Sequence, residues 1–268
     1  MAKYSFSYYC DQGIRENNQD ACFISENKSG QVFAIVCDGV GSEKHSEVAS
    51  QIAISMAATE FINTQNIEFK SFFYNFAEDA QKKIIKTMKE EYPGKPSSTT
   101  VACCLLDNNK AHVAWIGDSR IYHYSNATKE WKQISVDQNL LTFINRKWNR
   151  ILETVKKSPN HTEEDIQMTN ESFERDLERH KSNLLAITGV LENTTNSYKS
   201  VEMEEFEVAK DDLIWISSDG VYNWIHPEDI GFLLKSGTSI ENLAHAVVKL
   251  ALANGSNDNS TSIIIKVE

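Results

Sequence analysis

Short apolar runs, each bounded by polar residues, recur along the chain and predict β-strands. The clearest runs span residues 32–37, 99–106, 111–116, 119–124, 213–216 and 262–267. Runs of this length, enriched in β-branched residues, are typical of buried strands. The polar stretch Asp107-Asn108-Asn109-Lys110 joins two runs between residues 99 and 124, and it predicts a hairpin turn.

Three longer segments place apolar residues at helical spacing, namely residues 43–63, 68–91 and 239–253. The sequence Thr238-x-x-Glu241 predicts a capping box at the start of the last helix, and Gly255 predicts its end. Strands and helices do not alternate regularly, so a doubly wound parallel sheet is not expected. The order instead predicts an α+β fold in which helices cover antiparallel sheets.

A polar segment, at about residues 142–186, interrupts this pattern. It contains a charged helical stretch over residues 162–180, and we interpret the whole segment as a flap-like excursion over the surface. No linker rich in Pro, Gly or Ser divides the sequence, and a length of 268 residues falls within the range of one large domain. We therefore predict a single domain over residues 1–268.

Composition narrows the choice of partners and of compartment. The net charge of −11 disfavours nucleic acid and anionic membrane surfaces as partners. Five cysteines without any CxxC spacing are typical of a reducing compartment. The N-terminal sequence does not resemble a signal peptide, and no apolar run approaches the roughly 18 residues of a membrane span. These features predict a cytoplasmic protein.

Acidic residues stand at the ends of several predicted strands. Asp38 and Asp219 each begin an Asp-Gly pair after an apolar run, and Asp118 follows a third run. Asp258 precedes the last strand, and Asp20 closes the stretch GIRENNQD. Taken singly, each is most simply a turn residue. Gathered together they would repel one another, and a hard cation such as Mg²⁺ or Mn²⁺ would remove that cost because it prefers oxygen ligands.

Seven motifs extend in order from about Arg15 to the last strand, namely GIRENNQDA, CDGVGS, STT, GDSRIYHY, LLAITGV, SSDGVYNWI and NDNSTSIII. Together they resemble the motifs of the metal-dependent serine/threonine protein phosphatases, the PPM-type (type 2C) family, and of its bacterial members in particular. The resemblance implies a four-layer α-β-β-α sandwich with two antiparallel sheets and a metal cleft at one end.

The resemblance also implies a centre of two metal ions, with a third and looser ion beside them. Asp38 resembles the carboxylate that bridges the two ions. Asp219 and Asp258 complete the protein ligands of the first ion by this comparison. The other implied ligands are Asp20 and the carbonyl oxygen of Gly39 at the second ion, and Asp118 at the third.

Three further residues are implied to act beside the metals. Arg15 resembles the family's phosphate-gripping arginine, and its planar, permanently charged guanidinium suits phosphate oxygens. Gln19 and Asn259 are expected next to the metal ligands rather than among them. The family usually has a glutamate at the position of Gln19, so we expect weaker binding of the second ion.

The activity that the resemblance implies is hydrolysis of phosphoserine and phosphothreonine in proteins. A metal-activated water would attack the phosphorus directly, so no covalent enzyme intermediate is expected. The implied substrate is a signalling phosphoprotein that a serine/threonine kinase has modified, and we expect the phosphatase to act as a monomer.

Two other functions stay open. A weakly active or inactive relative that binds phosphoproteins is suggested by Gln19, by Ser42 in place of a glycine and by an altered stretch at residues 135–139. A hydrolase of small phosphate esters or nucleotides is less favoured, because the chain lacks a glycine-rich GxxxxGK[ST] phosphate loop.

Overall fold

Two antiparallel five-stranded sheets lie at the centre of the fold in a computed structural model that describes residues 3–194 and 196–268. The first sheet contains, in spatial order, β1 (Tyr4–Asp11), β12 (Ser260–Val267), β11 (Leu213–Ser217), β7 (Arg120–Ser125) and β8 (Glu130–Gln133). The second contains β10 (Glu202–Glu207), β6 (Lys110–Ile116), β5 (Val101–Asp107), β3 (Val32–Asp38) and β2 (Asp20–Glu26). A short pair joins β4 (Ser98–Thr99) to β9 (Leu191–Glu192).

Helices cover the outer faces of both sheets. Helices α1 (Ser46–Asn63) and α2 (Phe69–Glu91) pack on the second sheet, and their apolar side chains share one cluster with it. Helices α5 (Asp219–Tyr222), α6 (Pro227–Lys235) and α7 (Ile240–Ala253) share another cluster with the first sheet. Among the described residues, no helix combines the length and the apolar character that a membrane crossing requires.

Strand β3 shows how the layers are built, because it is buried on both faces. Phe33 and Ile35 point toward α1 and α2, whereas Ala34 and Val36 belong to the cluster between the two sheets. Successive side chains of a strand point to opposite faces, so an uninterrupted apolar run serves two packed layers at once. The predicted α+β fold, with two antiparallel sheets between helices, is confirmed.

The chain divides into two compact units, and the strands and helices above belong to the larger one, which ends at Ser135 and resumes with Gly189–Glu268. The smaller unit, Val136–Thr188, is a pair of helices, α3 (Leu140–Lys157) and α4 (Glu163–Arg179). The Trp148 indole donates a hydrogen bond of 2.8 Å to Asp176, which joins the two helices. The single-domain assignment over residues 1–268 stays a prediction.

Most predicted elements are present, with shifted ends. The Asp107–Lys110 hairpin joins β5 to β6, and Asn108 has the positive φ of 54° that such a turn requires. The capping box predicted at Thr238 is wrong: α7 begins one residue later, and Ser239 is its N-cap. The edge strands of the two sheets were not predicted, because their partial burial weakens the apolar signal; they are β1, β2, β8 and β10. The two-residue strand β9 was not predicted either.

Candidate functional site

Register in the second sheet brings two acidic side chains together. Asp20 is the first residue of β2 and Asp38 the last of β3, and the antiparallel pairing sets them opposite each other. The Asp38 carboxyl also lies within hydrogen-bond reach of those of Asp20 and of Asp219, the first residue of α5. Both sheets therefore contribute to one acidic cluster, since α5 directly follows β11 of the first sheet.

Asp20 is the most enclosed member of this cluster, with 5% of its surface exposed. Its Oδ2 accepts hydrogen bonds from the hydroxyls of Ser218, at 2.8 Å, and Thr261, at 2.7 Å. Its Oδ1 is buried and accepts no hydrogen bond from an amide or hydroxyl, and the neighbouring polar group is the Asp38 carboxyl. Burial raises the pKa of Asp20 to about 6, and the two hydroxyl donors only partly offset that effect.

The other carboxyls of the cluster are also shifted toward their neutral forms. Burial, followed by the charges of Asp20, Asp219 and Asp118, raises the pKa of Asp38 well above its ordinary value. Burial, followed by the charge of Asp258, raises the pKa of Asp219. The five predicted aspartates therefore act on one another electrostatically, although they are dispersed between positions 20 and 258.

Backbone hydrogen bonds and a buried hydroxyl pair hold the turn that carries Asp38. The Asp38 amide donates to Thr100 Oγ1 at 3.0 Å, and the Thr100 amide donates to the Asp38 carbonyl at 2.8 Å. Thr100 Oγ1 lies 2.7 Å from Ser119 Oγ, next to Asp118. The Tyr222 hydroxyl donates to the Asp118 carbonyl at 2.9 Å, so α5 also positions that loop.

Glycine is required after Asp38 because the chain is crowded there. A Cβ at Gly39 would lie 2.8 Å from the Gln19 carbonyl oxygen and 2.9 Å from Ser46 Cβ. The Gly39 amide donates to that same Gln19 carbonyl at 3.1 Å. The predicted Gly39 and Gln19 are thus in direct contact, and the Gln19 side-chain amide donates to the carbonyl of Glu43, in the turn before α1, at 2.9 Å.

Asp258 reaches the cluster from the end of α7. The Gly255 amide bonds the Leu252 carbonyl and the Ser256 amide bonds the Ala251 carbonyl, a Schellman motif that turns the chain back toward β12. Gly255 has a φ of 106°, which suits this position. Helix α7 therefore ends close to Asp258 and helps to direct it toward Asp219.

Arg15 lies beside Asp258, and its side chain is 42% exposed. Its Nη2 is 2.7 Å from Asp258 Oδ2, and its Nε donates to the Asn257 carbonyl at 3.0 Å. The predicted phosphate-gripping arginine is therefore at the acidic cluster, where its charge lowers the pKa of Asp219 against the larger effect of burial. One edge of the guanidinium is held by protein, and the side chain remains accessible from solvent.

Asn259 fastens the loop that contains Arg15. The Asn259 Nδ2 donates to the carbonyl oxygens of Gln12, at 2.8 Å, and Asn17, at 3.0 Å. Its Oδ1 accepts the Gln19 amide at 2.9 Å. The side chain is 5% exposed and contacts three points of one loop, which gives Asn259 a positioning role in that loop. Its place beside metal ligands stays a prediction.

Four hydroxyl residues that support the aspartates were not predicted, namely Thr100, Ser119, Ser218 and Thr261. All four are buried. Each lies within a quoted motif, in STT, GDSR, SSDG or DNST. A hydroxyl beside a buried strand is a usable signal, because a buried hydroxyl needs a hydrogen-bond partner.

The donor set fits a hard divalent cation in kind. The cluster offers carboxylate oxygens, one of which, Asp20 Oδ1, is buried and accepts no hydrogen bond from an amide or hydroxyl. Within the described part of the chain, no three His, Cys, Asp or Glu side chains already form the arrangement of a metal site. Asp38 instead lies against Asp20 and Asp219, an arrangement that a shared proton stabilises. The predicted roles of these residues as ligands stay predictions.

Comparison with known proteins identifies the family. The family described as "Protein phosphatase 2C" matches residues 13–251. The chain is 24% identical to serine/threonine phosphatase stp of Listeria monocytogenes over 265 residues, which cover 96% of this chain and 93% of that protein. The chain belongs to the protein phosphatase 2C family, and the resemblance in its motifs is confirmed.

Solved structures show the same fold. Serine/threonine phosphatase Stp1 from Staphylococcus aureus is 26% identical, with a TM-score of 0.72 and coverage of 100% of this chain and 96% of that one. The catalytic domain of the phosphatase PstP, solved in complex with two manganese ions, is 19% identical with a TM-score of 0.72, covering 100% and 99%. At this lower identity, the PstP likeness shows the fold alone.

We predict that Gly220→Ala destabilises the protein by about 2 kcal/mol or more, because an added Cβ would overlap the Asn259 carbonyl oxygen. Urea denaturation monitored by tryptophan fluorescence measures the change. Gly231→Ala is the matched control: it lies in α6 with open space around it and should be neutral or stabilising by up to about 1 kcal/mol. Equal stabilities of the two variants would contradict the close contact.

We also predict that Asp20 makes the metal-free protein less stable as the pH rises from about 4 to about 6. Its folded pKa of about 6 lies above the ordinary value of 3.8, so the native state holds a proton that the unfolded state releases. The stabilisation is full below pH about 4 and lost as pH passes about 6.

The measurement is urea denaturation in chelator at several pH values. Relative to Asp20→Asn, which does not titrate, the wild type should lose on the order of 2–3 kcal/mol across this interval. Asp79→Asn, at an exposed position on α2, is the control and should follow the wild type. A wild-type curve parallel to that of Asp20→Asn would show that Asp20 is not the titrating group.

Proposed function

We propose that the protein is a metal-dependent phosphatase that hydrolyses phosphoserine and phosphothreonine in other proteins. The observation that carries this proposal is the gathering of five aspartates from distant parts of the chain, with Arg15 at their edge. Membership of the protein phosphatase 2C family supports it. The relatives from Listeria and Staphylococcus, which are named serine/threonine phosphatases, support it further.

The proposed cofactors are two Mg²⁺ or Mn²⁺ ions, with a third at Asp118. Asp38 would serve both ions, Asp219 and Asp258 the first, and Asp20 with the Gly39 carbonyl the second. The PstP structure, which was solved with two manganese ions, supports the proposed pair of ions. Divalent cations lower the pKa of water and neutralise charge on a phosphoryl group. Gln19 contributes no carboxylate, which agrees with weaker binding of the second ion.

The remaining work falls to residues of the chain. Arg15 would bind phosphate oxygens with its guanidinium, which requires that it share or release Asp258 when a substrate enters. Asn259 would keep the Arg15 loop in place through its three hydrogen bonds. These contacts orient the phosphoryl group for attack by water.

Direct attack by water, without a covalent enzyme intermediate, is supported by the state of the nearby thiols. The negative charge of Asp20 contributes to a raised thiol pKa at three cysteines, Cys10, Cys22 and Cys37. Burial raises the pKa of all three thiols, that of Cys22 to about 12. A protonated thiol is a poor nucleophile, so a cysteinyl-phosphate is not favoured here.

The proposal extends to partners and compartment. The substrate would be a phosphoprotein modified by a serine/threonine kinase, and the enzyme would act as a monomer in the cytoplasm. All five cysteines are free, which supports a reducing compartment. The net charge of −11 supports the exclusion of nucleic acid as a partner.

We predict that Mn²⁺ supports release of phosphate from p-nitrophenyl phosphate and from a phosphothreonine peptide, and that chelator abolishes it. Asp38→Asn and Asp219→Asn should each lower kcat by about 100-fold or more, because each removes a charged oxygen ligand. Asp79→Asn, an exposed aspartate on α2, should retain full activity. Phosphate release is followed by a malachite green assay.

Each alternative has its own result in the same experiment. Activity that survives both the chelator and the two site variants would contradict the metal mechanism. Tight binding of the phosphopeptide without turnover at millimolar Mn²⁺ would identify a phosphoprotein-binding module. Faster turnover of nucleotides than of phosphopeptides would identify a hydrolase of small phosphate esters.

A further inference from the structure

Ile14 is the most exposed large hydrophobic side chain among the described residues, at 81% exposure. It immediately precedes Arg15, whose guanidinium contacts Asp258. A single exposed apolar residue is common on a protein surface and usually needs no explanation. The position of Ile14 differs from that common case because hydrogen bonds tie the loop around it, and the loop lies beside the acidic cluster.

The loop lies directly against the segment that carries Asp258. Gly13 has a φ of 61°, and a Cβ there would lie 2.5 Å from the Asp258 carbonyl oxygen. On the other side of Ile14, Arg15 bonds both Asn257 and Asp258. Ile14 is therefore bracketed by two residues in contact with the same short segment, which fixes it at the edge of the candidate site.

Hydrogen bonds order the whole loop. The Gln12 side-chain amide donates to the carbonyl oxygens of Arg15, at 2.8 Å, and Glu16, at 3.0 Å. The Gly13 amide donates to Asp11 at 2.9 Å, and Asn259 bonds the Gln12 carbonyl at 2.8 Å. The backbone thus holds Ile14 in water instead of letting it fold back onto the protein. A ligand that covers it would lose little conformational entropy in this loop.

We propose that Ile14 is a specificity-determining residue, which contacts an apolar side chain adjacent to the phosphorylated residue of the protein substrate. The inference rests on the proposed phosphatase function and narrows its substrate class. Arg15 binds the phosphoryl group in that function, so the preceding residue meets the peptide next to it. An apolar substrate side chain at that position would cover Ile14 and remove it from water. A polar side chain would leave both itself and Ile14 hydrated.

The test compares matched phosphothreonine peptides that differ only in having Leu or Ser beside the phosphothreonine. One set varies the preceding position and a second set varies the following one. The wild type should prefer Leu in at least one set by about fivefold in kcat/KM, the size expected when about 40 Å² of apolar surface leaves water. Ile14→Ser should reduce this preference to about one, and Ile14→Leu should retain it.

Ile62→Ser is the matched control, because Ile62 is 67% exposed but lies on α1, remote in sequence from the Arg15 loop. It should retain the full peptide preference. Turnover of the Ser-containing peptides should change little among the four proteins, because these peptides offer Ile14 no apolar side chain. An absent wild-type preference, or one unchanged in Ile14→Ser, would overturn the role of Ile14 while leaving the phosphatase function intact. Absent turnover of every substrate by the wild type would overturn both.

Discussion

The gathering of buried carboxyl groups is the constraint on which the rest of this structure depends. Burial and mutual repulsion both disfavour the charged forms of Asp20, Asp38 and Asp219, and the pKa of each is raised. A fold selected for stability alone would not place these groups in contact. Their position is explained if the protein binds a compensating positive charge, and we propose that a pair of hard cations supplies it.

The sandwich makes this gathering possible because both sheets end at the cluster. Asp20 and Asp38 come from the second sheet, whereas Asp219 follows β11 of the first and Asp258 precedes β12. Neutral donors from the first sheet reach an acidic group of the second, as the hydroxyls of Ser218 and Thr261 do at Asp20. The packing between the sheets therefore fixes the distance between acidic residues that are remote in sequence.

Sequence patterns could predict only those site residues that stand out from their immediate neighbours in the sequence. Asp38 and Asp219 could be identified because each begins an Asp-Gly pair that ends an apolar, strand-like run. The support of Asp20 by Ser218 is not visible in this way, because the two residues are nearly 200 positions apart. The start of α7 was misplaced for a local reason, since Thr238 and Ser239 are adjacent and both suit an N-cap.

The loop around Arg15 likewise has features that the sequence motif indicates and others that only the folded structure reveals. The motif GIRENNQDA indicated which residues belong to the site. The clamp by Asn259 and the exposure of Ile14 required the folded structure, because they depend on contacts between the two ends of the chain. These contacts hold the polar loop in place at the edge of the site. In our proposal, Ile14 of this loop then contacts the substrate side chain next to the phosphorylated residue.

Anomalous scattering from crystals soaked in Mn²⁺ would show directly where the cations bind. We expect two strong peaks beside Asp38, one also bound by Asp219 and Asp258 and the other by Asp20 and the Gly39 carbonyl. Peaks held by other residues, or a map without peaks at these aspartates, would contradict this expectation.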